Sequence, residues 1–211
     1  MNQMKRWIAL WLALFCTIEL MSNIGYGQTA YFAQVKTHHS KKLGIEFDYS
    51  AKLKVKENNR LITIEHSVNF KHPDPCNRSD PPESQQWKSK KILDFYSKIT
   101  VITTNSEEFL FKELEYTKNG EITGIRRSVE FINYPMRGFR EYNGNHGCGP
   151  YSYYFQISPE KILLVNRFLV PEFGEAPESE KEIYRRVPNI ILPEDEEILF
   201  NHILSSFVVK K

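Results

Sequence analysis

Apolar residues recur at every second position along much of this chain, and no other property limits its fold as strongly. In "IEFDYS", Ile45, Phe47 and Tyr49 alternate with polar neighbours; Leu53 and Val55 continue the pattern, and Ile62, Ile64 and His66 repeat it more weakly. A two-residue period puts the apolar side chains on one face of a pleated strand, so the segment reads as strands joined by a tight turn at "ENNR". "ILDFYSKITVITT", residues 92–104, is rich in β-branched and aromatic residues and reads as one long strand. "IRRSVEFINYP", "GFREYNG", "YSYYFQI" and "KILLVNRFLV" are further strand-like runs, so residues 125–170 read as an antiparallel meander. Residues 72–91 are proline-rich and polar, which predicts a loop.

Three segments break the two-residue period. Ser106 reads as an N-cap followed by Glu107 and Glu108, with Phe109, Leu110 and Leu114 as the apolar face of a helix over 106–116. "GEAPESEKEIYRRV" opens a second helix, with Pro177 near its first turn. In "LPEDEEILFNHILSSFVVKK", Pro193 stands at the first helical position and Glu194, Asp195, Glu196 and Glu197 suit the positive end of the helix dipole. Ile198, Leu199, His202, Ile203 and Phe207 then approximate one helical face, predicting an amphipathic helix that ends near Ser205. Strands and helices are segregated rather than alternating. The expected class is therefore α+β, a mostly antiparallel β-sheet flanked by helices, with a C-terminal amphipathic helix. A β-sandwich is the alternative, and the C-terminal helix speaks against it.

The first residues bear on compartment. Lys5 and Arg6 precede an apolar run from Trp7 to Ile18, which is too short for a bilayer crossing of about 20 residues. Gly25 and Gly27 supply a small-x-small cleavage pattern, so residues 1–27 read as a signal peptide. Lipoprotein processing at Cys16 is disfavoured by the bulky Leu14 and Phe15 before it. Residues 28–42 then form a polar N-terminal arm, in which His38 and His39 are solvated, and 43–211 a single domain. Losing Lys5, Arg6 and Glu19 leaves 26 basic and 25 acidic residues. That balance argues against a nucleic-acid partner, which calls for a clustered basic excess. The mature product is expected to be periplasmic or secreted, without stable membrane insertion.

The mature protein then keeps two cysteines, Cys76 in "HPDPCNRSDPP" and Cys148 in "NGNHGCGP". In an oxidising compartment an even pair is most simply a disulfide, and closing that loop would stabilise by about 4 kcal/mol on a chain-entropy model. The rival arrangement gathers His72, Asp74, Cys76, His146 and Cys148 around a metal ion or a thiolate, giving a metal- or thiol-dependent enzyme. Its H-x-C and H-x-x-x-C spacings match none of the common zinc patterns. No G-x-S-x-G, H-E-x-x-H, phosphate-binding loop or dinucleotide fingerprint is present, and no cofactor is expected. His66 and His202 read as satisfied structural histidines.

Two stretches carry a family resemblance. "GIEFDYSAKLKV", residues 44–55, resembles the opening strand of PsbP-like proteins of the Mog1/PsbP type, and "EEILFNHILSSFVV", residues 196–209, resembles their closing helix and strand. The resemblance implies an antiparallel sheet flanked by helices and a non-enzymatic role, since members of that family mostly dock on larger assemblies or membrane complexes. It does not reach the cysteine-bearing loops.

The expected function is accordingly that of an exported, non-enzymatic envelope binding or accessory protein, whose partner is a protein or envelope component. Alternation places Tyr151, Tyr153 and Phe155 on one face of a strand and Tyr154 on the other. That face either lines the core or, with Arg137, Arg140 and Arg167 on neighbouring strands, forms a recognition patch for an anionic partner.

Overall fold

Ten strands and three helices are seen among the residues described by the computed structural model, 34–72, 76, 89–106, 109, 129–144 and 148–210. The first strand, β1 (Val35–Ser40), falls inside the segment expected to be a lead-in arm. There His39 is exposed, but His38 is not solvated as expected: its ring packs 5.3 Å from Phe47 and Nε2 lies 3.1 Å from Glu57 Oε2. The expected leader, 1–27, lies outside the described residues.

β2 (Ile45–Ser50) follows, then β3 (Lys54–Asn58) and β4 (Leu61–His72), which pair antiparallel from Asn58 opposite Leu61 to Lys54 opposite Glu65. The expected turn at "ENNR" closes this hairpin with two loop residues; Asn59 takes a φ of 56°, a left-handed conformation that asparagine tolerates. β5 (Ser89–Thr103) is the long strand expected over 92–104. The expected meander is β6 (Val129–Asn133), β7 (Arg137–Tyr142), β8 (Pro150–Ser158) and β9 (Lys161–Phe168), all paired antiparallel. Together they make a seven-stranded sheet in the order β3-β4-β5-β9-β8-β7-β6. Gly138 sits opposite Phe155, where a Cβ would come within 2.7 Å of that ring and 2.2 Å of the Tyr154 carbonyl, so only glycine fits.

Helix α1 (Pro171–Gly174) is a single turn, and α2 (Glu178–Arg185) begins just after Pro177. Tyr184 of α2, with Val187 and Ile190, packs on Val68 and Ile92 at one end of the sheet. The C-terminal helix α3 (Pro193–Ser205) starts and stops where the sequence predicts. Its buried face is formed by Glu196, Leu199, Phe200, Ile203 and Leu204, whereas His202 and Ile198 are half-buried, so the face is turned from the expected one. The protein ends in β10 (Val208–Val209), which pairs with β2 in a three-stranded sheet ordered β1-β2-β10. Phe207 packs on Phe47 at 5.3 Å, and Phe200 on Tyr153 at 5.0 Å, so α3 and the turn after it serve both sheets. The expected α+β class holds. Of the helix expected over 106–116, Phe109 N–H donates to the Asn105 carbonyl and the Ser106 hydroxyl donates to the Pro159 carbonyl; 107–108 and 110–128 lie outside the described residues.

Candidate functional site

The inward face of β4 alternates as its sequence dictates, with Ile62, Ile64, Val68 and His72 buried. On β5 the parity changes: Ile92 and Asp94 are buried, and then Phe95, Ser97 and Ile99. The pairing explains the change. His66 lies opposite Phe95 and Val68 opposite Ile92, so two steps along β4 match three along β5. This β-bulge turns Asp94 inward, onto the side of the sheet that His66 also faces. Without it, regular alternation back from Phe95 would turn Asp94 to the opposite face and bring Leu93, which is now exposed, inward.

Asp94 is fully buried, and both carboxylate oxygens are satisfied. Oδ2 accepts a 2.7 Å hydrogen bond from the backbone N–H of Ile191, and Oδ1 lies 2.7 Å from His66 Nδ1. An isolated carboxylate could not be buried at tolerable cost, and these two donors offset its desolvation. A carboxylate can only accept, so Nδ1 carries the hydrogen and Nε2 is left as the second nitrogen of the ring. That nitrogen has no hydrogen-bond partner among the described residues, and 19% of the His66 side chain is exposed.

His66 opens onto a groove of about 560 Å³ whose walls are Lys52, Ser67, Val68, Asn69 and the Val187–Asn189 segment, within the range of ligand-sized sites. Asn189 adopts a φ of 65°, which bends the backbone at the groove's rim. The opposite wall is unusual for a sheet. β3 pairs with β4 only as far as Glu65, so from His66 onward no strand among the described residues flanks that side of β4. Asn58 and Leu61 flank a two-residue hairpin loop and exchange both backbone hydrogen bonds. By strand alternation, Ser67 and Asn69 then turn their backbone N–H and C=O toward the side that β3 has left.

The tyrosine–arginine set named from sequence is divided by the fold. The parity is as read: Tyr151 pairs with Tyr142, Tyr153 with Arg140 and Phe155 with Gly138, while Tyr154 faces the other way and stacks on Phe139 at 4.8 Å. The face bearing Tyr153 is no open patch, however. Tyr153 is 1% exposed beneath Phe200, and Arg167 is held by Glu196 of α3, its Nε 3.0 Å from both carboxylate oxygens. Burial alone would lower the Arg167 pKa, but the hydrogen bonds and charge of Glu196 outweigh it and hold the guanidinium above its ordinary range. Burial raises the Glu196 carboxyl, and Arg167 opposes that rise. Arg140 pairs with Glu130 at 2.7 Å and lies 5.5 Å from the Tyr151 ring centre, Arg137 is exposed, and the Tyr154 hydroxyl donates to Glu141 Oε1. These six residues form no continuous surface, because Tyr154 and Arg137 lie on the other side of the sheet and α3 covers Tyr153 and Arg167.

Cys76 and Cys148 form the expected disulfide, with Cα atoms 6.1 Å apart. Neither sulfur is therefore available as a thiolate nucleophile or ligand. Gly149, at a φ of 144°, lets the backbone leave Cys148 toward β8 in a conformation closed to other residues. Of the rival cluster, Asp74 and His146 lie outside the described residues. His72 is 1% exposed and turns into the core, where Nε2 lies 2.5 Å from Glu172 Oε1 and Nδ1 donates to the Phe70 carbonyl at 3.0 Å. Among the described residues, no three His, Cys, Asp or Glu side chains are placed to hold a metal ion.

The sequence alone makes His66 a satisfied histidine and gives Asp94 no role. The available signal is a lone acidic residue inside the apolar run "ILDFYSKITVITT". No family model matches the protein, and no curated protein matches it either.

Proposed function

We propose that this is an exported, non-enzymatic binding or accessory protein of the cell envelope, and that its ligand lies in the groove beside His66. The observation that carries the reading is the Asp94–His66 pair. A histidine kept only for packing needs no open groove, whereas here a buried carboxylate orients the ring and leaves Nε2 to the groove side. A binding role fits better than catalysis. Ser67 follows His66 directly on β4, so its side chain points to the other face, and no nucleophile stands next to the ring in the sequence of the strand.

The Cys76–Cys148 bridge supports export, because such bonds persist in oxidising compartments. Among the described residues no helix is long and apolar enough to cross a membrane. The likeness of 44–55 and 196–209 to PsbP-like proteins supports a docking role as well. The sheet face near the glycine–tyrosine loop is a poorer choice of surface, since α3 occupies much of it.

Cell fractionation with site-specific photo-crosslinking tests the reading. A photoreactive residue at Asn69 or Asn189 should capture an envelope component in intact cells, and the same residue at exposed Ile183 should not. A protein confined to the cytosol with both cysteines reduced, or equal capture from all three positions, would overturn it.

A further inference from the structure

We propose that the outward face of β3, β4 and β5 lies against a bilayer surface rich in anionic headgroups, a second contact distinct from the groove. Alternation fixes what that face carries. Val55 pairs with the buried, inward Ile64, which puts Lys54 and Lys56 on the outward side, opposite Glu65 and Thr63. Lys71 precedes the buried His72 on β4, and Lys98 stands between the buried Ser97 and Ile99 on β5, so both share that side. Among the described residues the outward positions of these strands hold one acid, Glu65, which pairs with Lys56. Lys54, Lys56 and Lys71 are exposed, and Lys54 and Lys71 have no bonded partner among the described residues. An ion pair as exposed as that of Lys56 is weak in water and exchanges readily for another anion.

The near-zero overall charge conceals this segregation. Acidic residues gather instead on α2, at Glu178, Glu180 and Glu182, and in the first turn of α3. Both helices pack on the inward side of the sheet, through Tyr184 and Phe200. The shape and apolar content of the basic face then select a membrane among anionic partners. It is broad: Lys56 stands opposite Thr63, and Lys71 lies eight residues beyond Thr63 on β4, roughly 26 Å at the rise of a strand. Leu61 and Leu93, 39% and 40% exposed on this side, offer apolar surface that a headgroup layer can cover. Tyr96 and Phe168 pack against each other at 5.0 Å, and Lys98 Nζ sits over both rings at 5.5 and 5.1 Å. Capped in this way, neither ring is an open platform for a nucleic-acid base, whereas half-buried aromatic bodies beneath a lysine head suit a membrane–water boundary.

Flotation of the disulfide-intact protein with lipid vesicles tests the proposal. Vesicles of equal parts phosphatidylcholine and phosphatidylglycerol should carry the protein up the gradient, phosphatidylcholine alone should not, and added salt should release it. Lys54→Gln combined with Lys71→Gln should weaken partitioning about thirtyfold. Lys161→Gln, exposed on the inward side opposite Thr103, should leave it unchanged. Leu61→Ser combined with Leu93→Ser should weaken it about tenfold. Unfolding midpoints of the variants, whose substituted side chains are all exposed, confirm that the fold is retained. Equal binding to both vesicles, equal losses from Lys161→Gln and the lysine pair, unchanged binding of the leucine pair, or preference for a single-stranded oligonucleotide over vesicles would each overturn the inference.

Discussion

Glu196, in the first turn of α3, reaches back to grip Arg167 on β9, so that the C-terminal helix is fastened to the centre of the seven-stranded sheet by a nearly dry ion pair. Arg167 lies opposite Tyr151 on one side and Ser97 on the other, and its guanidinium also sits 5.3 Å from the ring centre of Phe200. One acidic residue among four at the helix start thus has a role beyond the helix dipole.

Removing one partner should cost far more than removing both. Glu196→Ala leaves a buried guanidinium uncompensated and should destabilise by roughly 3–5 kcal/mol, whereas Arg167→Met combined with Glu196→Leu should lie much closer to the parent. Urea unfolding of Arg167→Met, Glu196→Leu and the double variant measures the difference, and strict additivity would contradict the buried-pair account.

Glu46 makes the β2–β10 junction pH-sensitive. Its carboxylate accepts from Lys210 Nζ at 2.8 Å and lies 2.6 Å from His39 Nδ1. The hydrogen bond from Lys210 is the chief cause holding its pKa below the ordinary 4.5; slight desolvation opposes it and His39 assists. A lowered carboxyl contributes stability above its unfolded value and loses it as pH falls through the lowered folded value. Exchange of the Lys210 amide, which donates to the Gly44 carbonyl at 2.8 Å, should therefore speed up as pH drops below about 4 relative to the intrinsic rate. Glu46→Gln should remove that added acid sensitivity.

Reduction of the Cys76–Cys148 bridge should lower stability without dismantling the sheet. The closed loop spans 72 residues, which corresponds to about 4 kcal/mol on the chain-entropy model. Thermal unfolding with and without reductant, and of Cys76→Ser with Cys148→Ser, should show matching losses. Intact mass should fall two hydrogens short of the dithiol form.

His72 and Glu172 share one proton. Nδ1 donates to a carbonyl, which only accepts, so the 2.5 Å approach of Nε2 to Glu172 Oε1 requires a hydrogen on one side or the other. Glu172 Oε2 is buried without a partner among the described residues. Glu172→Gln can donate to a neutral ring and should change stability by less than about 1 kcal/mol, whereas Glu172→Ala strands Nε2 and opens a cavity, costing about 2–4 kcal/mol. Nitrogen shifts of the His72 ring, measured alongside denaturation, check that the ring is the group affected.

Alternation along "LITIEHSVNF" and "YSYYFQI" is legible because the pleat is a local property, and so are the 125–170 meander and the helix start at Pro193. The face of α3 is legible only in part: Glu196 looks like a helix-start residue and is buried only because Arg167 waits beneath it. The tyrosines of β8 fall on the sides of the strand that alternation assigns, yet which side α3 covers is settled some 45 residues further along, well beyond the span of a local connection.

What the sequence determined alone was the periodicity of each segment, the breaks at proline and asparagine, and a pair of cysteines suited to bonding, since these depend on a residue and its near neighbours. Tertiary structure decided the rest. The bulge that turns Asp94 under His66, the end of the β3–β4 pairing at Glu65, and the helix that hides Tyr153 each depend on two distant segments meeting in one register. Register is fixed by the burial available across strands, and a single strand's pattern does not contain its partner's.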